Sequence, residues 1–186
     1  MKKSYVIVDI ETTWLSKRQH GITEIAAVRY QEGEVVEEFQ SLVNPWHHIP
    51  AMITWITGIT NEMVADAPSC EEILPSFFDF LGSDVFVAHN ATFDHGFLSH
   101  YGESVCNITW TNDVVCTRKL ANRLLSFLPS KRLETLCHYF GVTNEQAHRA
   151  MADVKATVQV FDRFLQIFHE KHGDAELSSL LEIQAK

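Results

Sequence analysis

The sequence predicts an α/β domain in which a mixed sheet carries helices on its faces. The strand-like segments are residues 4–10, 22–30, 35–43, 84–89 and 110–115. The first three follow one another, and the turn between the second and third contains Gly33, which indicates a hairpin. They therefore predict a three-stranded antiparallel meander. The last two alternate with helical patterns, as the strands of a sheet covered by helices do.

Helical periodicity and capping residues define the helices between and after these strands. The helical patterns cover about residues 60–66, 69–81, 91–101, 117–125, 131–140 and 147–169. Thr60 is a suitable N-cap, and Ser69 with Glu72 has the spacing of a capping box. Residues 45–50 are expected to be a loop. We predict one folded domain over residues 1–172 and a short, weakly amphipathic C-terminal tail over 173–186.

Length and charge narrow the class of protein. The chain has 186 residues, enough for one well-cored domain, and a formal net charge of −9. This charge argues against a protein that coats nucleic acid through a broad basic surface, but not against a nuclease that grips a few nucleotides. Basic residues still cluster locally, at Arg118, Lys119, Arg123, Lys131 and Arg132.

The sequence also bears on the compartment. No apolar run approaches the roughly 20 residues that span a bilayer, and the first residues do not resemble a signal peptide. The cysteines at 70, 106, 116 and 137 form no C-x-x-C pair, so we expect buried, reduced thiols and not a zinc site or a disulfide framework. Cytoplasmic residence without a membrane partner is the expectation.

Three short motifs carry carboxylates at positions where a sheet gathers ligands. Asp9 and Glu11 follow an apolar run and leave one face of a strand, because they are two residues apart. Asp94 follows the strand at 84–89, near the start of a helix. His148 and Asp153 are five residues apart, about 140° around an ideal helix, so the histidine is better placed on a loop ahead of the helix.

Each motif taken alone has an ordinary structural explanation. Asp9 and Glu11 could be solvated acids at the end of a strand, Asp94 could be favoured by the helix N-terminus, and His148 could be a surface residue. Together the motifs predict a metal site. Hard divalent cations prefer several oxygen ligands, and a pair of them can hold the attacking and leaving oxygens of a phosphodiester. Metal-assisted phosphodiester hydrolysis is therefore the first hypothesis.

In order and setting, the motifs D-x-E, H-N-x-x-F-D and H-x-x-x-x-D resemble those of the DEDD superfamily of 3′–5′ exonucleases. The histidine places the resemblance in the DEDDh, or DnaQ-like, branch, and it is greatest to the proofreading epsilon subunits and domains of bacterial replicative polymerases. The segments at 56–60, 116–121 and 133–141 also resemble family elements, so the likeness covers about residues 4–168. It implies a ribonuclease H-like fold with a five-stranded mixed sheet.

The resemblance implies a role for each site residue. Asp9, Glu11, Asp94 and Asp153 would hold two Mg²⁺ or Mn²⁺ ions, and His148 would take a proton from the attacking water. The terminal nucleotide would be held around Thr12, Thr13, Ile56, Thr57, Asn90 and Phe93. The family usually has glycine where this chain has Trp14. That tryptophan is either a stacking platform for the 3′ nucleotide, which is slightly favoured, or a packing residue.

The same resemblance leaves several functions open. The leading prediction is release of nucleoside 5′-monophosphates from single-stranded DNA 3′ ends, in proofreading or repair. An RNA-trimming exoribonuclease of the same branch is the alternative, because 2′-hydroxyl contacts cannot be read from motifs. A non-catalytic, polymerase-associated binding module is less favoured, since no metal ligand is lost. A DNA polymerase subunit is a candidate partner, and the oligomeric state stays open.

Overall fold

A mixed five-stranded sheet forms the centre of this computed structural model, which describes residues 4–17, 21–144, 147–173 and 176–185. The strands are β1 (Ser4–Thr12), β2 (Ile22–Gln31), β3 (Glu34–Leu42), β4 (Val85–Ala88) and β5 (Val114–Cys116). Their order in the sheet is β3-β2-β1-β4-β5. β1, β2 and β3 pair antiparallel, whereas β4 pairs parallel with both β1 and β5. The predicted meander and mixed sheet are confirmed.

The helices that cover the sheet are α1 (Ala51–Thr57), α2 (Asn61–Val64), α3 (Cys70–Leu81), α4 (Thr92–Cys106), α5 (Thr117–Leu124), α6 (Leu133–Phe140), α7 (Ala150–His172) and α8 (Leu177–Ala185). The capping box predicted at Ser69 and Glu72 is present. Two differences from the sequence prediction stand out. Helix α1 was not predicted, and the strand predicted from Trp110 begins only at Val114.

Both differences have a physical reason. α1 has seven residues and buries only Ile53 and Thr57, too short an amphipathic pattern to read with confidence from sequence. Trp110 looks like a strand residue because it is large and apolar. Its ring instead packs at 4.4 Å from that of His95 and 5.1 Å from that of Phe86, on the aromatic face under α4.

Alternation along β1 divides the core into two layers. Tyr5 and Ile7 join a buried cluster with residues of α5, α6, α7 and α8, whereas Val6, Val8 and Ile10 join one with residues of α3 and α4. Because side chains alternate across a strand, Asp9 and Glu11 continue the row of Tyr5 and Ile7. Both acids therefore leave β1 on the side that α7 covers.

A glycine permits a close contact between the residues that follow β1 and the segment that precedes α1. The Thr13 amide donates to the Gly21 carbonyl at 2.9 Å, and the Gly21 amide donates to Thr13 Oγ1 at 3.1 Å. A Cβ at position 21 would lie 2.6–2.8 Å from atoms of Pro45, so no other residue fits without a shift. The end of β1, which carries the acids, is thereby held against the segment that precedes α1.

The C-terminal residues 177–185, expected to be a tail, form α8 against the edge of the sheet. Leu180 is fully buried, and Gln184 accepts from the Cys116 amide at 2.9 Å and donates to the Val114 carbonyl at 2.6 Å. These bonds occupy the open edge of β5. Among the described helices, none combines the length and apolar character needed to cross a membrane.

Candidate metal centre

Three of the predicted acids converge at one end of the sheet. One carboxylate oxygen each from Asp9, Glu11 and Asp153 lies within 4.8 Å of the other two. Asp9 and Glu11 reach this point from β1, and Asp153 reaches it from the first turn of α7, which packs on β1 and β2. The structure thus joins two motifs that are about 140 residues apart in the sequence.

The fourth predicted acid, Asp94, is attached to the same stretch of β1. It lies in the first turn of α4, is 2% exposed, and accepts a hydrogen bond from the Ile10 amide at 3.2 Å. Ile10 lies beyond Ile7, the last residue of β1 that pairs with β4, so its amide is open to this partner. Asp94 lies outside the group of three within 4.8 Å but directly beside it.

Asp153 is held by the segment that precedes its own helix. Its Oδ1 accepts from Asn144 Nδ2 at 2.7 Å, and its Oδ2 accepts from the His148 amide at 2.8 Å. His148 has a φ of +68°, and its side chain is exposed. The prediction that His148 precedes the helix on a loop agrees with this placement, since α7 begins at Ala150.

The four carboxyls disfavour one another's ionisation. Burial raises the pKa of Asp9 well above its ordinary range, and repulsion from Asp94, Glu11 and Asp153 raises it further. Burial, followed by repulsion from Asp153, Glu24 and Asp94, raises the pKa of Glu11 from 4.5 to about 8. Burial raises the pKa of Asp94 to about 8 against the opposing bond from the Ile10 amide. Burial raises that of Asp153 as well.

This donor set suits hard divalent cations. Carboxylate oxygens are the ligands that Mg²⁺ and Mn²⁺ prefer, and several of them converge here from separate elements. A cation among them would offset the repulsion that raises their pKa values. Cysteine and histidine side chains, which would favour zinc, are absent from the group of three. The residues therefore fit a divalent cation of the magnesium type.

The predicted substrate residues after β1 differ in their exposure. Thr12 and Thr13 are 8% and 1% exposed, and their hydroxyls bond within the chain, Thr12 Oγ1 to the Trp14 carbonyl at 2.7 Å. Trp14 is 40% exposed. The threonines thus shape the backbone, and Trp14 presents an aromatic surface to solvent at the end of β1.

The remaining predicted substrate residues lie on two other segments. Thr57 is buried and its hydroxyl donates to the Ile53 carbonyl at 3.0 Å, whereas Ile56 is 38% exposed. Asn90 is exposed with a φ of +67°, and its Oδ1 accepts from Arg118 Nη1 at 3.2 Å. Phe93 packs on the Phe97 ring at 4.9 Å.

Sequence analysis missed three residues, Glu24, Arg149 and Asn144, that contact the elements carrying the predicted metal ligands. Glu24 is 1% exposed on β2, directly opposite Glu11, and forms an ion pair with Arg149 at the start of α7. Asn144 bonds Asp153, as described above. The available signal for Glu24 was a charged residue inside the otherwise uncharged stretch 22–28 of β2. No sequence pattern around Glu24 could identify its partner Arg149, which is 125 residues away in the chain.

Comparison with known proteins places this geometry in a family. The family model RNase_T, described as an exonuclease, matches residues 6–161. A Mycobacterium tuberculosis protein named as a candidate bifunctional exonuclease/endonuclease is 44% identical, over 96% of this chain and 29% of its own length. A PolC-type DNA polymerase III of Oceanobacillus iheyensis is 39% identical, over 97% of this chain and 12% of its own length. The chain thus spans less than a third of either relative.

Two further matches extend over nearly the full length of both partners. The DNA polymerase III subunit epsilon of Aquifex aeolicus is 32% identical, over 97% of this chain and 90% of that protein. The structure of Exonuclease X in complex with 5′ overhanging duplex DNA matches with a TM-score of 0.78 and 29% identity, over 97% and 99% of the two chains. The predicted fold and enzyme class are confirmed: the chain belongs to the RNase T/DnaQ-like exonuclease family of phosphodiester hydrolases.

Proposed function

We propose that this protein is a metal-dependent 3′–5′ exonuclease that releases nucleoside 5′-monophosphates from the 3′ ends of single-stranded DNA. The observation that carries the proposal is the convergence of Asp9, Glu11 and Asp153 within 4.8 Å, with Asp94 anchored beside them. The DNA-bound Exonuclease X structure and the polymerase relatives support DNA as the substrate class.

In this mechanism the four acids would hold two divalent cations, Mg²⁺ or Mn²⁺. Bound there, the cations would activate a water for attack on the terminal phosphodiester and stabilise charge on the departing 3′ oxygen. His148 accepts the proton of that water. The exposed position of His148 beside Asp153 leaves its ring accessible to substrate and to the attacking water.

Exposed residues that follow β1, lie on α1 or precede α4 are the proposed contacts to the 3′ nucleotide. Trp14 and Ile56 offer apolar surface on which a base can stack or pack, and such contacts tolerate any base. The buried hydroxyls of Thr12, Thr13 and Thr57 are already bonded to the chain, so these residues contribute by fixing the backbone. Asn90 and Phe93 complete the proposed nucleotide site from the side of α4.

The decisive experiment compares 5′-labelled single-stranded DNA with RNA of the same sequence. We expect stepwise shortening of the DNA in Mg²⁺, none in EDTA, and loss of activity in Asp9→Ala and Glu11→Ala proteins. Glu103, an exposed glutamate on α4, gives a matched control, and Glu103→Ala should remain active. Degradation of RNA alone would replace the DNA assignment with the exoribonuclease alternative. Unchanged activity without Asp9 and Glu11 would refute the catalytic site.

The cellular setting is part of the same proposal. Similarity to the polymerase relatives supports association with a DNA polymerase, in proofreading or repair, in the cytoplasm. Co-purification with a replicative polymerase, and a lower error rate in its presence, would test this association. Failure of both would leave a freestanding nuclease.

A further inference from the structure

A further buried acid, Glu24, lies beside the four proposed metal ligands and has a different set of partners. Glu24 on β2 is 1% exposed, yet its carboxylate receives four hydrogen bonds. Arg149 donates through Nη2 to Oε1 at 3.0 Å and through Nε to Oε2 at 3.2 Å. Gln40 donates to Oε1 at 3.0 Å, and the Ala150 amide donates to Oε2 at 3.2 Å. Burial disfavours the charge of Glu24, but these donors outweigh it and hold its pKa below its ordinary value.

These partners connect the two halves of the metal centre. Glu24 lies directly opposite Glu11 in the pairing of β1 and β2. Ala150 is the first residue of α7, and Asp153 lies one turn further along that helix. The first amides of a helix have no partner within it, and a carboxylate is favoured there. Glu24 therefore ties the start of α7 to the strand pair that carries Asp9 and Glu11.

Apolar packing alone does not fix this geometry. α7 is already anchored by the fully buried Val154, Phe161 and Phe164, so the helix does not depend on Glu24 for its attachment to the sheet. Contacts between apolar side chains tolerate small rotations and shifts, whereas a metal site needs its ligands held to about 0.5 Å. A bidentate guanidinium–carboxylate pair has the directionality that apolar contacts lack.

We propose that Glu24 and Arg149 are positioning residues, which set the place of Asp153 relative to Asp9 and Glu11 and thereby the affinity of the site for divalent cations. The inference rests on the proposed function for its effect on DNA hydrolysis, but its effect on cation binding can be measured without substrate. Neither residue belongs to the group of three convergent acids. Their influence passes through the start of α7 and through β2.

The test uses variants that keep the fold. In the double variant Glu24→Leu/Arg149→Met, apolar side chains of similar size replace both partners, an exchange that proteins often tolerate without loss of stability. In Arg149→Lys the charge remains but the paired geometry is lost. The matched control is Lys155→Met, which removes the exposed Lys155–Glu38 ion pair, 3.4 Å long, between the same helix and β3.

We expect the double variant to unfold near the wild-type temperature but to bind Mg²⁺ or Mn²⁺ about 10- to 100-fold more weakly in calorimetric titration. On single-stranded DNA its kcat should fall by about the same factor, with KM within about twofold of wild type. Arg149→Lys should recover part of both losses, and Lys155→Met should match wild type.

Two outcomes would overturn the inference. One is a folded double variant with wild-type cation affinity. The other is an Arg149→Lys protein that unfolds at a lower temperature yet binds cations as wild type does, since the pair would then serve stability alone. If the wild-type protein binds Mg²⁺ but hydrolyses no DNA, the proposed function fails, and the cation titrations still decide the role of Glu24 and Arg149.

Discussion

Neutralising Glu11 should stabilise the metal-free protein, although the same change removes a proposed metal ligand. In the folded chain the pKa of Glu11 is raised from 4.5 to about 8, first by burial and then by repulsion from Asp153 and Glu24. At pH 7 the folded carboxyl therefore retains a proton that the unfolded chain has released. Glutamine has nearly the same shape but carries no such cost.

The size of the effect follows from proton linkage. The interval between 4.5 and pH 7 is about 2.5 pH units, and each unit corresponds to about 1.4 kcal/mol, which gives an upper value of about 3.5 kcal/mol. Glu11 is partly open to water and shares its repulsion with the other acids, so roughly half, about 1–2 kcal/mol, is expected. For a chain of this size that raises the unfolding temperature by about 2–8 °C.

The assay is thermal unfolding of wild type and Glu11→Gln at pH 7, in EDTA and then in Mg²⁺. In EDTA the variant should unfold at the higher temperature; in Mg²⁺ the order should reverse, because only wild type gains the full binding energy. The exposed Glu103→Gln control should shift by no more than about 2 °C in either buffer. A metal-free variant that is no more stable than wild type would refute the argument from repulsion.

Four further perturbations test other parts of the structure. Because the pKa of Glu11 is higher in the folded than in the unfolded chain, its contribution to stability is complete below about pH 4.5 and is lost as the pH rises through about 8. The unfolding temperature of the metal-free wild-type protein should therefore fall from pH 5 to pH 8, and a flat profile would contradict this expectation. Gly21→Ala forces a Cβ to 2.6–2.8 Å from Pro45 and should lower the free energy of unfolding in urea by about 1–3 kcal/mol. An unchanged urea midpoint of unfolding would mean that the backbone around Pro45 shifts without cost. Asn144→Ala frees one oxygen of Asp153 and should lower kcat about tenfold at constant KM; equal kcat values would exclude a role in holding that acid. Arg118→Ala should weaken single-strand binding and reduce its log–log salt slope by about 0.7, with hydrolysis of a nitrophenyl ester of thymidine monophosphate unchanged; an unaltered slope would place Arg118 off the DNA path.

Local patterns in the sequence were sufficient for most of the fold. The strands of the meander alternate in polarity or are continuously apolar, and the capping box at Ser69 marks its helix without tertiary information. The proposed metal ligands could be predicted for a similar reason, since Asp9 and Glu11 lie near the end of a buried strand and Asp94 lies in the first turn of a helix. These features depend on neighbours within a few residues, which a single sequence displays directly.

The features that escaped prediction all depend on contacts between distant segments. α1 gains its order from packing of Ile53 beside Ile49 and Ile59, not from its own propensity. Trp110 was predicted to lie in a strand because it is large and apolar, but its ring packs against His95 of α4. Glu24 and Arg149 each have an ordinary role on their own segment. Only the fold places them together.

Two glutamates lie opposite each other on adjacent strands, and the contrast between them separates the proposed metal ligand from an acid that is bonded within the fold. Glu24 is fully buried and Glu11 is largely buried, but Glu24 has four donors, including a guanidinium, and its pKa is lowered. Glu11 lies among other carboxylates, and its pKa is raised to about 8. A buried acid that the protein has already neutralised has no capacity left for a cation. An acid kept in repulsion retains that capacity, because a divalent cation removes the repulsion when it binds. Burial and charge alone do not distinguish the two; the difference lies in whether the fold supplies the counter-charge.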